Sequence, residues 1–65
     1  MKSLVCNLSE LYVDDCFTIK SNGQMYRFLG LYRFKNGVWG YEYESTKVGR
    51  VYRTSYDLRV FYLSW

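Results

Sequence analysis

The sequence predicts a single small all-β domain, five antiparallel strands curled toward a barrel. Short runs rich in Tyr, Phe, Leu and Val recur along the chain and are separated by Asn-Gly pairs or other glycine-bearing turns. Proline is absent, so no strand is interrupted by a residue without an N–H. The third observation is bulk: eight Tyr, four Phe and two Trp in 65 residues. A chain this short buries only about 60% of the surface its unfolded form exposes. Each aromatic ring buries about 150–250 Å², so a few inward rings supply most of a small core.

The first strand is expected over residues 16–21, Cys-Phe-Thr-Ile-Lys-Ser, closed by Asn22-Gly23. Asn-Gly between β-type runs favours a type I′ hairpin turn, because both central residues need positive φ. The second strand, 25–34, carries Tyr26, Phe28, Tyr32 and Phe34 on one parity with Gly30 between them. Asn36-Gly37 marks a second hairpin, after which 38–45 alternates most cleanly. Trp39, Tyr41 and Tyr43 take one face there and Gly40, Glu42 and Glu44 the other. Glycine inside a strand marks a bulge or sharp bend, so Gly30 and Gly40 are where the sheet should curl. Residues 46–49 form a turn, 50–54 a short strand, 55–57 one helical-type turn, and 58–63 the closing strand. Leu8 and Leu11, around Ser9-Glu10, are expected in a short turn of helix or irregular cover ahead of the sheet. The predicted core is Phe17, Ile19, Tyr26, Phe28 and Val60.

Leu8-Ser9-Glu10-Leu11-Tyr12-Val13-Asp14-Asp15-Cys16-Phe17-Thr18-Ile19 resembles the L-x-x-L-x-V-G-D-x-F-x-(hydrophobic) opening of small SH3-like barrel proteins common in bacteriophages and prophages. Met25-Tyr26-Arg27-Phe28-Leu29-Gly30 is similar to their second strand, and 58–63 to their closing strand. The resemblance spans 8–63 in outline, and its motifs mark a fold rather than a site. It implies a partly open five-strand barrel with one short helical turn, and an accessory role in a phage. Asp14 departs from the pattern, which has glycine there. The acidic loop and paired aromatics of a proline-peptide groove are missing.

Composition narrows the chemistry. With no His, the commonest general base and metal ligand are missing, and zinc-ligand spacings cannot be built from Cys6 and Cys16 alone. Asp14 and Asp15 are adjacent, and adjacent side chains of an extended segment diverge, so the two would not share a proton. One of them is expected to cap backbone N–H groups in a turn. No enzyme, cofactor or metal site is therefore expected. Cys6 and Cys16 are expected as reduced thiols in a cytoplasmic protein. Residues 1–7 hold no long apolar run after Lys2, so no leader is expected, and no stretch of the sequence approaches the ~20 apolar residues of a membrane span.

The expected function is binding. Tyr26-Arg27, Tyr32-Arg33 and Tyr52-Arg53 repeat a neighbour pair that puts a ring on one sheet face and a guanidinium on the other. Rings that fill the core and arginines that keep the outside soluble would produce the same pattern. Yet so small a barrel cannot bury fourteen rings, and exposed Tyr, Trp and Arg anchor interfaces. The candidate partner-binding residues are Arg27, Arg33, Trp39, Tyr41, Tyr43 and Arg53. The favoured partner is a larger host or phage protein that the module inhibits or redirects. Single-stranded nucleic acid is the alternative, with rings stacking on bases. A net charge of +3 permits nucleic acid without arguing for it, and Glu42 and Glu44 would repel phosphate. A homodimer paired along the terminal strand and Trp65 is compatible with either.

Overall fold

Six strands, not five, form one antiparallel sheet in the computed structural model of the chain, which describes residues 2–20 and 23–64. They are β1 (Lys2–Asn7), β2 (Cys16–Thr18), β3 (Met25–Arg33), β4 (Trp39–Ser45), β5 (Val51–Thr54) and β6 (Arg59–Ser64). Their order across the sheet is β1-β6-β2-β3-β4-β5. The outermost strands, β1 and β5, are not hydrogen-bonded to each other, so the sheet stays open rather than closing into a barrel.

The additional strand is β1. Lys2-Ser3-Leu4-Val5-Cys6-Asn7 pairs over its whole length with β6, from Lys2 opposite Ser64 to Asn7 opposite Arg59. A strand whose only partner lies at the other end of the chain has no hairpin turn beside it to announce it. After Asn7 comes a single 3-10 turn, Leu8–Glu10, at the place where helical cover was expected. Its start is fixed by Glu10, whose Oε2 accepts the Asn7 N–H at 2.8 Å. The Leu8 N–H donates to the Leu58 carbonyl at 3.0 Å, which ties the turn to the approach of β6. Residues 55–57 form a bend at Ser55-Tyr56 and not the helical turn expected. The Tyr56 N–H bonds to Thr54 Oγ1 at 3.1 Å, and both carboxylate oxygens of Asp57 are held by Ser9.

The first hairpin connection differs from the two-residue turn expected, and the second keeps residues 35–37 between its strands, as the expected bounds left them. β2 stops at Thr18, opposite Met25, so six residues connect the strands. Gly23 N–H bonds back to the Lys20 carbonyl at 3.0 Å, while Asn22 lies outside the described residues. In the second hairpin Phe34 N–H donates to the Val38 carbonyl at 2.8 Å, leaving a three-residue loop, Lys35-Asn36-Gly37. Gly37 alone takes positive φ, +84°, the left-handed position such loops require.

Gly30 does more than bend β3. Phe28 faces Tyr43 and Gly30 faces Glu42, so Leu29 is an extra residue, a bulge at Gly30 φ +118°. An extra residue reverses the two-residue alternation. Tyr26 and Phe28 therefore point to the core face, whereas Tyr32 shares the opposite face with Gly40, Glu42 and Glu44. The single parity expected for Tyr26, Phe28, Tyr32 and Phe34 is broken at this point. Leu31 and Arg33 turn to the core face instead.

The core is chiefly aromatic. Phe17 is 0% exposed. It meets Tyr26 and Tyr43 at centroid distances of 5.8 and 5.6 Å, and Tyr52 closes the group at 5.6 Å from Tyr43. Leu8, Leu11, Phe28 and Val60 complete the buried set, with Ile19 and Tyr26 partly buried against it. Burial and the neighbouring rings of Tyr26 and Tyr52 push the Tyr43 phenol above its ordinary 10.0. A raised folded-state value means the native chain holds a proton that the unfolded chain has released. That contribution is complete below pH 10 and is lost as pH rises beyond it. Urea midpoints should therefore fall in that range for the wild type and fall less for Tyr43→Phe.

The chain enters β2 through a left-handed residue, Asp14, at φ +78°. Its N–H donates to the Phe28 carbonyl at 2.8 Å, and Phe28 N–H returns to the Asp15 carbonyl at 2.8 Å. This is the conformation glycine adopts without strain, and a left-handed L-residue costs about 1–2 kcal/mol. Asp14→Gly should leave the urea midpoint unchanged or raise it, and Asp14→Val should lower it.

Candidate functional site

The six residues expected at a partner surface do not share one face. Tyr43 is 8% exposed and belongs to the core, as its alternation with Tyr41 beside the Phe17 cluster dictates. It is therefore not part of the surface. Arg27 and Arg53 lie on the outer face of β3-β4-β5, and both are engaged within the sheet. Arg27 pairs with Glu44 on the facing strand and with Asp14 at 3.5 Å. The Glu44 hydrogen bond and charge hold the Arg27 guanidinium above its ordinary value. Arg53 Nε donates to Glu42 Oε2 at 2.9 Å, and its guanidinium carbon lies 4.4 Å from the Tyr32 ring centroid. Glu42 and Glu44 thus answer two of the three Tyr-Arg repeats from the next strand.

The other three candidates, Arg33, Trp39 and Tyr41, come together on the core face of the β3-β4 hairpin. Leu31 stands opposite Tyr41, and Arg33 opposite Trp39. The hairpin runs on beyond the residues that cover the core, so this end of its inner face is left open. Leu31 is 67% exposed and Trp39 58%. The Arg33 guanidinium packs over the Trp39 indole, 5.6 Å from the ring centroid.

Beside these residues the segment after the 3-10 turn adds Tyr12, 81% exposed, and Val13. Val13 sits against Gly30: a Cβ there would stand 3.4 Å from Val13 Cγ2. A cleft of about 340 Å³ lies between them, lined by Leu8, Leu11, Tyr12, Val13, Phe28, Leu31 and Tyr41 among others. Phe28 and Tyr41 are in ring contact there at 6.2 Å. On the far side of Tyr12 a second cleft of about 300 Å³ is lined by Val5, Cys6, Leu11 and Tyr62 with Glu10 and Asp15. Tyr12 and Leu11 border both. Sequence reading missed Tyr12, Val13 and Leu31. Tyr12 and Val13 lie outside any strand, and Leu31 faces this way only because of the bulge.

The opposite face of the same hairpin has its own groove, about 490 Å³, lined by Tyr32, Phe34, Lys35, Asn36 and Arg53. Its two rings meet edge to face at 5.1 Å. Asp14 and Asp15 diverge as expected: Asp15 Oδ2 accepts the Tyr12 N–H at 2.8 Å, while Asp14 faces Arg27. Cys6 and Cys16 are unpaired and half-buried, and burial pushes the Cys6 thiol up. Among the described residues no His/Cys/Asp/Glu group could hold a metal ion, and no helix is long and apolar enough to cross a membrane. Comparison with protein-family models, with curated proteins and with solved structures finds no match.

Proposed function

We propose that the protein is a non-enzymatic binding module that takes hold of a larger protein through the core face of its β3-β4 hairpin. The supporting observation is the open end of that face, where Tyr12, Val13 and Leu31 stay exposed around an apolar cleft and Trp39 is exposed farther along the hairpin. Exposed Tyr, Trp and Arg beside a cavity are the residue types enriched at interface hot spots. The order β6-β2-β3-β4-β5 supports the finer fold reading. Four strands form a meander and the last returns beside the first, as expected of an SH3-like barrel left partly open, with β1 added outside β6. On that reading the module is a phage-type accessory protein that inhibits or redirects a host or phage protein in the host cytoplasm.

Single-stranded nucleic acid is the second reading, and the groove at Tyr32, Phe34 and Lys35 favours it. Against it, Arg53 covers the Tyr32 ring and is paired with Glu42, and Arg27 is paired twice. A strand-binding groove needs rings with free faces and cations with free charge.

The test is a pull-down from bacterial lysate with and without nuclease. The wild type should retain a stoichiometric protein after nuclease. Trp39→Ala and Leu31→Ser should each weaken its capture by about 2 kcal/mol or more in a follow-up titration, with Arg27→Ala changing little. Material that vanishes with nuclease, or binding that falls steeply with salt and is lost in Arg53→Ala, supports the nucleic-acid reading instead.

A further inference from the structure

We propose that the partner segment received by this surface is acidic as well as apolar: an apolar side chain enters the cleft beside Leu31 and Val13, and a neighbouring carboxylate meets Arg33. This rests on the protein-binding reading above and adds the chemistry of the partner. Its support is how charge is disposed around the cleft. The nearby carboxylates are all engaged within the chain. Glu10 accepts the Asn7 N–H and Asp15 the Tyr12 N–H, each at 2.8 Å. Asp57 takes the Ser9 N–H and hydroxyl at 2.9 and 2.8 Å, and Asp14 faces Arg27 at 3.5 Å.

Arg33 differs from the other arginines of the repeat. Exposed like Arg53, it lies two residues along β3 from Leu31, but no ion pair to it is formed among the described residues. Its guanidinium is packed over Trp39. A guanidinium held against a ring is already partly ordered, keeps its N–H donors, and matches a carboxylate with two parallel hydrogen bonds. The same charge argument disfavours a second copy of the chain on this face. A twofold pairing would bring two Arg33 cations into one apolar interface with no free carboxylate nearby to answer them. A nucleic-acid backbone is disfavoured too, because one cation beside an apolar cleft cannot follow a run of phosphates.

The test uses the full chain and three fluorescein-labelled peptides of equal length: alternating Leu-Glu, alternating Leu-Lys and alternating Ser-Glu. By anisotropy, Leu-Glu should bind about tenfold or more tightly than either other peptide, a difference of about 1.4 kcal/mol. Arg33→Glu should reverse the preference between Leu-Glu and Leu-Lys. Arg59→Glu changes net charge equally from the outer face of β6 and should leave that preference in place, which separates a local contact from the overall positive charge. Equal binding of Leu-Glu and Leu-Lys, both lost in Leu31→Ser, overturns the acidic partner and keeps the protein-binding surface. If no peptide binds, or binding survives Leu31→Ser, both fall. A dimer in sedimentation that Leu31→Ser abolishes gives the face to a second copy and overturns the proposal.

Discussion

Phe17→Ala should leave most of the chain unfolded in water at room temperature. Phe17 is 0% exposed and touches two of the core tyrosines, and β2, only three residues long, has little else to hold it between β3 and β6. Removing a buried Phe side chain costs about 3–5 kcal/mol, in part because its neighbours cannot collapse into the space. A domain of 65 residues has about 3–10 kcal/mol in all at the usual stability per residue. Loss of β2 would also split the sheet, since it alone joins β1-β6 to β3-β4-β5. Near-UV circular dichroism and a urea titration give the answer. A native aromatic signal with an unshifted midpoint would show that the ring cluster is not what holds the sheet together.

Gly40→Ala should be the next most damaging change, and for the opposite reason. Gly40 is not in a left-handed conformation; it is a place where another strand comes close. A Cβ there would collide with the Thr54 carbonyl oxygen, stand 2.6 Å from Phe34 Cε2 and 3.0 Å from Ser55 Cα. The Phe34 ring could rotate away, but the β5 backbone could move only by breaking its ladder with β4. Overpacking of this kind costs about 1–3 kcal/mol, and more where backbone must shift. Gly49→Ala is the control. It has nothing within 4 Å but a φ of +71°, so it should lose only the strain of a left-handed alanine. Hydrogen exchange should quicken across Val51–Thr54 in Gly40→Ala and not in Gly49→Ala. Equal effects would mean that the close approach of Thr54 has no energetic weight.

The local rules carried much of the fold. Alternation placed β3 to β6 within a residue or two, and Gly30 and Gly40 mark the bulge and the close approach. What they could not carry was non-local. β1 depends on β6 at the other end of the chain, and nothing between residues 2 and 7 announces that pairing. The candidate site was half legible for the same reason. Trp39 and Tyr41 follow from the alternation of β4, but the faces of Leu31, Tyr32 and Arg33 are set by one inserted residue, Leu29, whose effect shows only in register. Glu42 and Glu44 were expected only as a wet face that would repel phosphate; their pairing with Arg53 and Arg27 depends on which strands lie opposite and was not legible.

Leu31 and Tyr32 are neighbours in sequence on opposite faces of β3, so they separate the two binding readings within one residue. The decisive measurement places a benzophenone side chain at each position in turn and irradiates the folded protein in lysate. Protein recognition through the core face predicts a nuclease-resistant protein adduct from position 31 and none above background from position 32. A nucleic-acid adduct from position 32, with position 31 silent, would contradict the account.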